Sequence, residues 1–148
     1  MNSIFTGNNP SSGSEAEIIG SQSDVSGGPG PEIMAASTLE GNDVVNGKGE
    51  DLGEIKEIMI DVPSGRVAYA VLSSGGILGM GDKLFAIPWS ALTLDTENKC
   101  FILNVDAELV QNAPGFDKDH WPSMADSTWA NEIHAYYGQR NYWQQGSI

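Results

Sequence analysis

Residues 67–72 read VAYAVL. Successive side chains of a strand point to opposite faces, so Val67, Tyr69 and Val71 share one face and Ala68, Ala70 and Leu72 the other. Both faces are apolar, as in a strand closed into a small barrel. The neighbouring runs are equally short and bounded by turn chemistry. DVVNGKGEDLG carries Asn46-Gly47 and Gly49, and DVPSGRV supplies the next reversal. Between them, LGEIKEIMIDV is ambiguous. Leu52, Ile55, Ile58, Met59 and Val62 fit helical spacing, whereas Ile58, Ile60 and Val62 fit a strand. The turn that leads straight from this segment into VAYAVL favours the strand.

Further along, KLFAIPW puts Phe85, Ile87 and Trp89 on one face. Pro88 has no N–H for a ladder and belongs at a strand end or a sheet edge. LTLDTENKCFILNV reads as a hairpin turning at Asp95–Asn98. The pattern over residues 33–110 is about six short strands with no long amphipathic helix between them. It predicts a mainly β domain, a small six-stranded antiparallel barrel.

Two regions flank it. Residues 1–32 contain no Lys or Arg and are dense in Ser, Gly, Asn and Pro. Such a segment buries too little surface to offset its ordering entropy. It is expected to be a disordered tail; the alternative is a short docking motif around Ile18-Ile19. Residues 111–148 form a C-terminal extension with Trp121, Trp129 and Trp143, three of the chain's four tryptophans. Phe116, Tyr136, Tyr137 and Tyr142 add to its aromatic content. DSTWANEIHAYYG predicts one short helix over about 127–137, capped by Asp126 or Ser127 and stopped by Gly138. Trp129, Ile133 and Tyr136 or Tyr137 share its apolar face. An extension this aromatic is expected to pack on its own domain or on another chain.

The totals narrow the function. Twenty Asp and Glu against seven Lys and Arg leave a formal net charge of −13. Nucleic-acid binders neutralise phosphates with basic side chains, so direct nucleic-acid binding is not expected, while a basic protein partner is compatible. The single cysteine, Cys100, excludes an intramolecular disulfide. No run reaches the length of a membrane span, and no lysine-led apolar stretch follows Met1. A cytoplasmic protein is expected.

Residues 35–110, and above all DLGEIKEIMIDVPSGRVAYAVLSSGGILGMGDKLFAIPWSAL, resemble a PRC-barrel domain. The matching elements are Gly53, Asp61 before the PSGRV turn, and DKLFAIPWSAL. The extension NAPGFDKDHWPSMADSTWANEIHAYYG resembles that of small stand-alone bacterial members. The fold is shared with the H subunit of the photosynthetic reaction centre and with the ribosome maturation factor. The resemblance implies a barrel used as a scaffold for contacts, with no catalytic residue, metal or cofactor to carry over. The chain shows neither the membrane anchor of the first nor the RNA-related domain of the second, so neither specific role follows.

GGILGMGDK is the one segment that mimics a phosphate loop. A P-loop ends in Gly-Lys-Ser/Thr, and a dinucleotide loop leads into a helix; here Gly81-Asp82-Lys83 leads into a strand. The glycines are read as a reversal between strands. That leaves Ile77, Leu78 and Met80 as a candidate contact, with Trp121, Trp129, Tyr136 and Trp143 from the extension. Asp117, Asp119 and His120 are too few for a metal site, and His134 is read as a surface polar residue. The function these features point to is a non-catalytic interaction or scaffold module, working as a homo-oligomer, such as a dimer, or with another protein. Stress-related or assembly-related work would fit such a module. The alternatives are a ribosome-assembly accessory acting through a ribosomal protein, and reaction-centre-like assembly of a membrane complex.

Overall fold

The computed structural model describes residues 15–20, 32–74 and 83–141. Its strands are β1 (Glu17–Ile19), β2 (Asp43–Val45), β3 (Asp51–Asp61), β4 (Arg66–Ser73), β5 (Leu84–Pro88), β6 (Leu92–Asp95) and β7 (Cys100–Leu103). Its helices are α1 (Ala36–Leu39), α2 (Ala107–Gln111) and α3 (Ser127–Tyr136). The protein is mainly β, but it differs from a six-stranded antiparallel barrel. There is one seven-stranded sheet in the order β1-β6-β7-β2-β3-β4-β5. Two of its pairs, β1/β6 and β2/β7, are parallel. Among the described residues β5 and β1 are its two edges and no ladder joins them. Apolar alternation reports that a segment is a strand and which face it buries. It carries no information on pairing direction unless a tight hairpin fixes it.

Three of the four antiparallel pairs are fixed by local turn chemistry. At β3/β4, the Asp61 carboxylate accepts from Ser64 N–H at 3.2 Å, and Gly65 turns at φ +77°. At β6/β7, the Asp95 carboxylate accepts from Glu97 N–H, Asn98 N–H and the Asn98 side-chain amide, at 3.0, 3.1 and 2.7 Å. These donors, the Asn98 side chain foremost, hold the Asp95 carboxyl below its ordinary pKa. At β2/β3, Asn46 is buried. Its Oδ1 accepts from Lys48 N–H at 3.0 Å and Glu50 N–H at 2.9 Å. Its Nδ2 donates to Glu50 Oε1 at 2.8 Å and to Val105 O at 3.0 Å.

The ambiguity over residues 52–62 has a structural cause. Strand β3 holds an extra residue at Leu52 against β2, where Val44↔Gly53 is followed by Val45↔Asp51, and another at Lys56 against β4; between Met59 and Ile60 the extra residue is Ala68 of β4. Leu52 and Ile55 are both fully buried although three residues apart. A strict period of two cannot do this; an extra residue in the strand can. Gly53 sits there at φ +134°, and a Cβ on it would collide with the Ser73 carbonyl oxygen.

The N-terminal segment also departs from expectation. Glu17–Ile19 is an edge strand: Ile18 packs on the core and the β6 backbone pairs with it. Helices α1 and α2, each about one turn, are additional to the helix the sequence suggests. They are too short to show a helical period. The core is drawn from all these elements: Val44, Leu52, Ile55, Leu72, Phe85, Ile87, Leu92, Phe101, Val110 and Ile133 are all but inaccessible to solvent.

Gly53→Ala combines a disfavoured φ with a backbone collision. It is expected to lower unfolding stability by about 2–3 kcal/mol, read from the urea midpoint at unchanged slope. Gly49→Ala, whose Cβ would meet open space, is expected to cost about 1 kcal/mol.

Candidate functional site

Strand β4 is buried along nearly its whole length, and α3 covers one of its faces. The Tyr69 ring meets Trp129 edge-on at 5.3 Å and His134 at 5.3 Å. Asp126 caps α3 by accepting from Thr128 N–H at 3.0 Å. Tyr136 Oη donates to Leu109 O at 2.6 Å, joining α3 to α2. Phe116 exchanges two hydrogen bonds of 2.8 Å with Leu84, extending β5 by one bridge. Gly115 makes this approach possible, since a Cβ there would lie 2.8 Å from Leu84 O.

His134 is therefore not a surface residue. It is 1% exposed, and its Nδ1 lies 2.8 Å from Ala130 O and 3.5 Å from Tyr69 Oη. A carbonyl only accepts, so Nδ1 carries the proton. Burial moves its pKa below the ordinary value of 6.5, against a smaller upward effect of the Ala130 carbonyl. Burial likewise raises the phenol pKa of Tyr137, whose Oη has no hydrogen-bond partner among the described residues.

The expected contact residues separate. Trp129 and Tyr136 are half-buried and pack against the core. Trp121 is 40% exposed; its ring leans on Phe116 at 5.0 Å and its Nε1 donates to Lys118 O at 2.8 Å. Ile77, Leu78, Met80 and Trp143 lie outside the described residues.

The accessible apolar surface lies elsewhere. A cleft of about 560 Å³ opens between the β3/β4 turn and the start of α3, lined by Met59, Ile60, Val62, Pro63, Met124 and Ala125 among others. A second groove of about 500 Å³ runs between the two ends of the curled sheet, where Ile58, Ile60 and Val67 face Ile18, Leu94 and Phe101, beside Trp89 and Ile33. Ile60 borders both. It is 52% exposed, Val62 83% and Ile33 72%. Among the described residues each cavity has one charged liner, Asp61 in the first and Glu32 in the second. Residue-level reading missed this face because Ile60 and Val62 look like strand core. The signal was Val62 itself, the residue before Pro63 in a turn. Among the described residues, no three His, Cys, Asp or Glu side chains gather to hold a metal, and no helix is long and apolar enough to cross a membrane.

Residues 31–110 of the chain match a family model, the PRC-barrel domain. The chain belongs to the PRC-barrel domain family. No curated protein matches it. The matched PRC-barrel residues begin after β1, so the strand Glu17–Ile19 is added to the domain from outside, and α3 lies beyond the other end of the match.

The buried imidazole makes stability depend on pH. As pH falls through 6.5, the unfolded chain takes up a proton that native His134 refuses, so stability drops below about pH 6.5. The drop levels off once the native pKa is passed. The urea midpoint is expected to fall between pH 7.5 and pH 5.5, and His134→Gln to flatten that slope. An unchanged slope assigns the effect to other groups.

Proposed function

We propose that this PRC-barrel chain is a non-catalytic protein-interaction module whose contact face is the ridge at Ile60, and that a second copy of the chain is its first occupant. The observation that carries the reading is that two apolar grooves meet at one exposed isoleucine. A ridge beside a groove is self-complementary under two-fold symmetry, since each Ile60 can enter the other copy's groove. Charge points to the same face. Chains of net charge −13 repel one another. Among the described residues the Ile60 face carries only Glu32 and Asp61 as charged liners, and Asp61 stands opposite Arg66 in the β3/β4 register. The lining is mostly hydrocarbon and thioether, suited to excluding water and poor in groups that move protons or attack bonds.

Light scattering after size exclusion, across protein concentration and salt, tests the reading. The expected result is a dimer that tightens with ionic strength as like-charge repulsion is screened. Ile60→Asp with Val62→Asp is expected to weaken it at least about tenfold, as truncating a buried anchor does. Val62 is in the turn and Ile60 half-exposed, so the fold is expected to survive. A monomer at every concentration and salt overturns self-association. An accessory that docks on a basic ribosomal protein would instead bind more weakly as salt rises.

A further inference from the structure

The two edges of the sheet are covered differently. At β5, Leu84 is bridged by Phe116, and α3 packs against the strand. At β6, the covering strand among the described residues is β1, three residues long and outside the family match. Its seat is nevertheless well defined. Glu17, Ile18 and Ile19 pair with Thr93, Leu94 and Asp95 in parallel register. Ile18 turns inward onto the core. The Ile19 carbonyl accepts from both Thr96 N–H at 2.9 Å and Thr96 Oγ1 at 3.1 Å. Gly20 passes so close that a Cβ would lie 2.6 Å from Thr96 Oγ1 and 2.8 Å from Glu97 N.

We infer that the outer edge of β6 is a strand-acceptor groove for an extended segment of a partner protein, occupied in the resting chain by its own Glu17–Gly20. The groove reads three things: backbone in parallel register, a branched apolar side chain at the Ile18 position, and a glycine two residues on. This is strand addition, in which main-chain hydrogen bonds hold the ligand and alternate side-chain pockets select it. The self-segment shows what the groove accepts because it is seated there. So few ladder residues open at low local cost. As part of the same chain, the segment competes as a ligand of roughly millimolar effective concentration. The partner segment must therefore outbid a tethered copy of itself, which makes the edge selective. The inference does not rest on the proposed Ile60 contact, and its test leaves Ile60 untouched.

Two measurements on the full chain decide it. In hydrogen exchange of the wild-type protein, the Thr96 amide, which donates to Ile19 O, is compared with the Ile55 amide, which donates to Asn42 O at 3.0 Å inside the sheet. Thr96 is expected to exchange at least about 100-fold faster, as a locally opening edge requires. Equal protection means that β1 opens only with the whole domain, and overturns the proposal. In the second measurement, a blocked synthetic peptide of residues 13–22 is titrated to millimolar concentration into labelled Gly20→Val chain and followed by NMR. Shifts at the amides of Thr93–Thr96 are expected, with affinity at least about tenfold above that for the wild-type chain, whose groove is filled. The same peptide carrying Ile18→Asp is expected to give none. Equal binding to both chains, or no shifts in Gly20→Val, overturns the proposal. Should Gly20→Val fail to fold, the exchange comparison still decides.

Discussion

The two halves of the sheet meet at three residues. Hairpin β6/β7, with β1 on its edge, lies on one side, and the meander β3-β4-β5 lies on the other. Strand β2 is the splice, antiparallel to β3 and parallel to β7 through Val44↔Phe101 and Val45↔Ile102. A ladder this short is weak alone. Burial of Val44, fully shielded from solvent, supplies part of the bond. Asn46, the next residue but one, supplies the direction. Its amide oxygen organises the turn into β3 while its amide nitrogen reaches Val105, just past β7. One side chain thus ties the entry to β3 to the exit of β7. Aspartate would keep the acceptor and lose the donor to Val105, so the residue type matters as much as its polarity.

From that splice the sheet curls until Ile58 and Ile60 face Leu94 and Phe101 across a groove. The β3 bulges provide the bending, as bulges do when a sheet must coil. The outside of β4 is closed by α3, through Tyr69 against Trp129 and His134. The aromatic extension is therefore part of the fold's outer layer. His134 is its constrained member: one nitrogen is committed to Ala130 within the helix, and the ring is spent on packing.

Much of this was legible in the residues. The strand character of 52–62 and 67–72, the Asp95 turn, the edge position of Pro88 and the helix after Asp126 all follow from local chemistry, and local chemistry is what a single sequence displays. The doubly apolar VAYAVL was read as barrel closure. Its real meaning was a helix laid over one face, which no periodicity within the strand can distinguish. The parallel pairs were invisible because their partners are far apart in sequence, Val44 with Phe101 and Ile18 with Leu94. For β1, three residues in a Ser/Gly-rich context fall below any pattern; only Ile18-Ile19 marked the place. The Ile60 face was hidden by the same bulges, since a shift of one residue exchanges core and surface.

The acceptor edge and the Ile60 face share a wall. Ile18, the inward residue of β1, lines the same groove as Ile60. Displacing β1 removes that side chain from beside Leu94 and Phe101 and reshapes what a second copy would meet. Linkage makes the effect reciprocal: whatever an incoming strand does to affinity at the Ile60 face, a ligand on that face does to affinity at the β6 edge. A partner segment that restores a branched apolar residue at the Ile18 position rebuilds the wall and leaves the two events nearly independent. One that places a small or polar residue there couples them negatively. The side chain at a single ladder position therefore sets whether this module takes up a partner strand and a second copy together or one in place of the other.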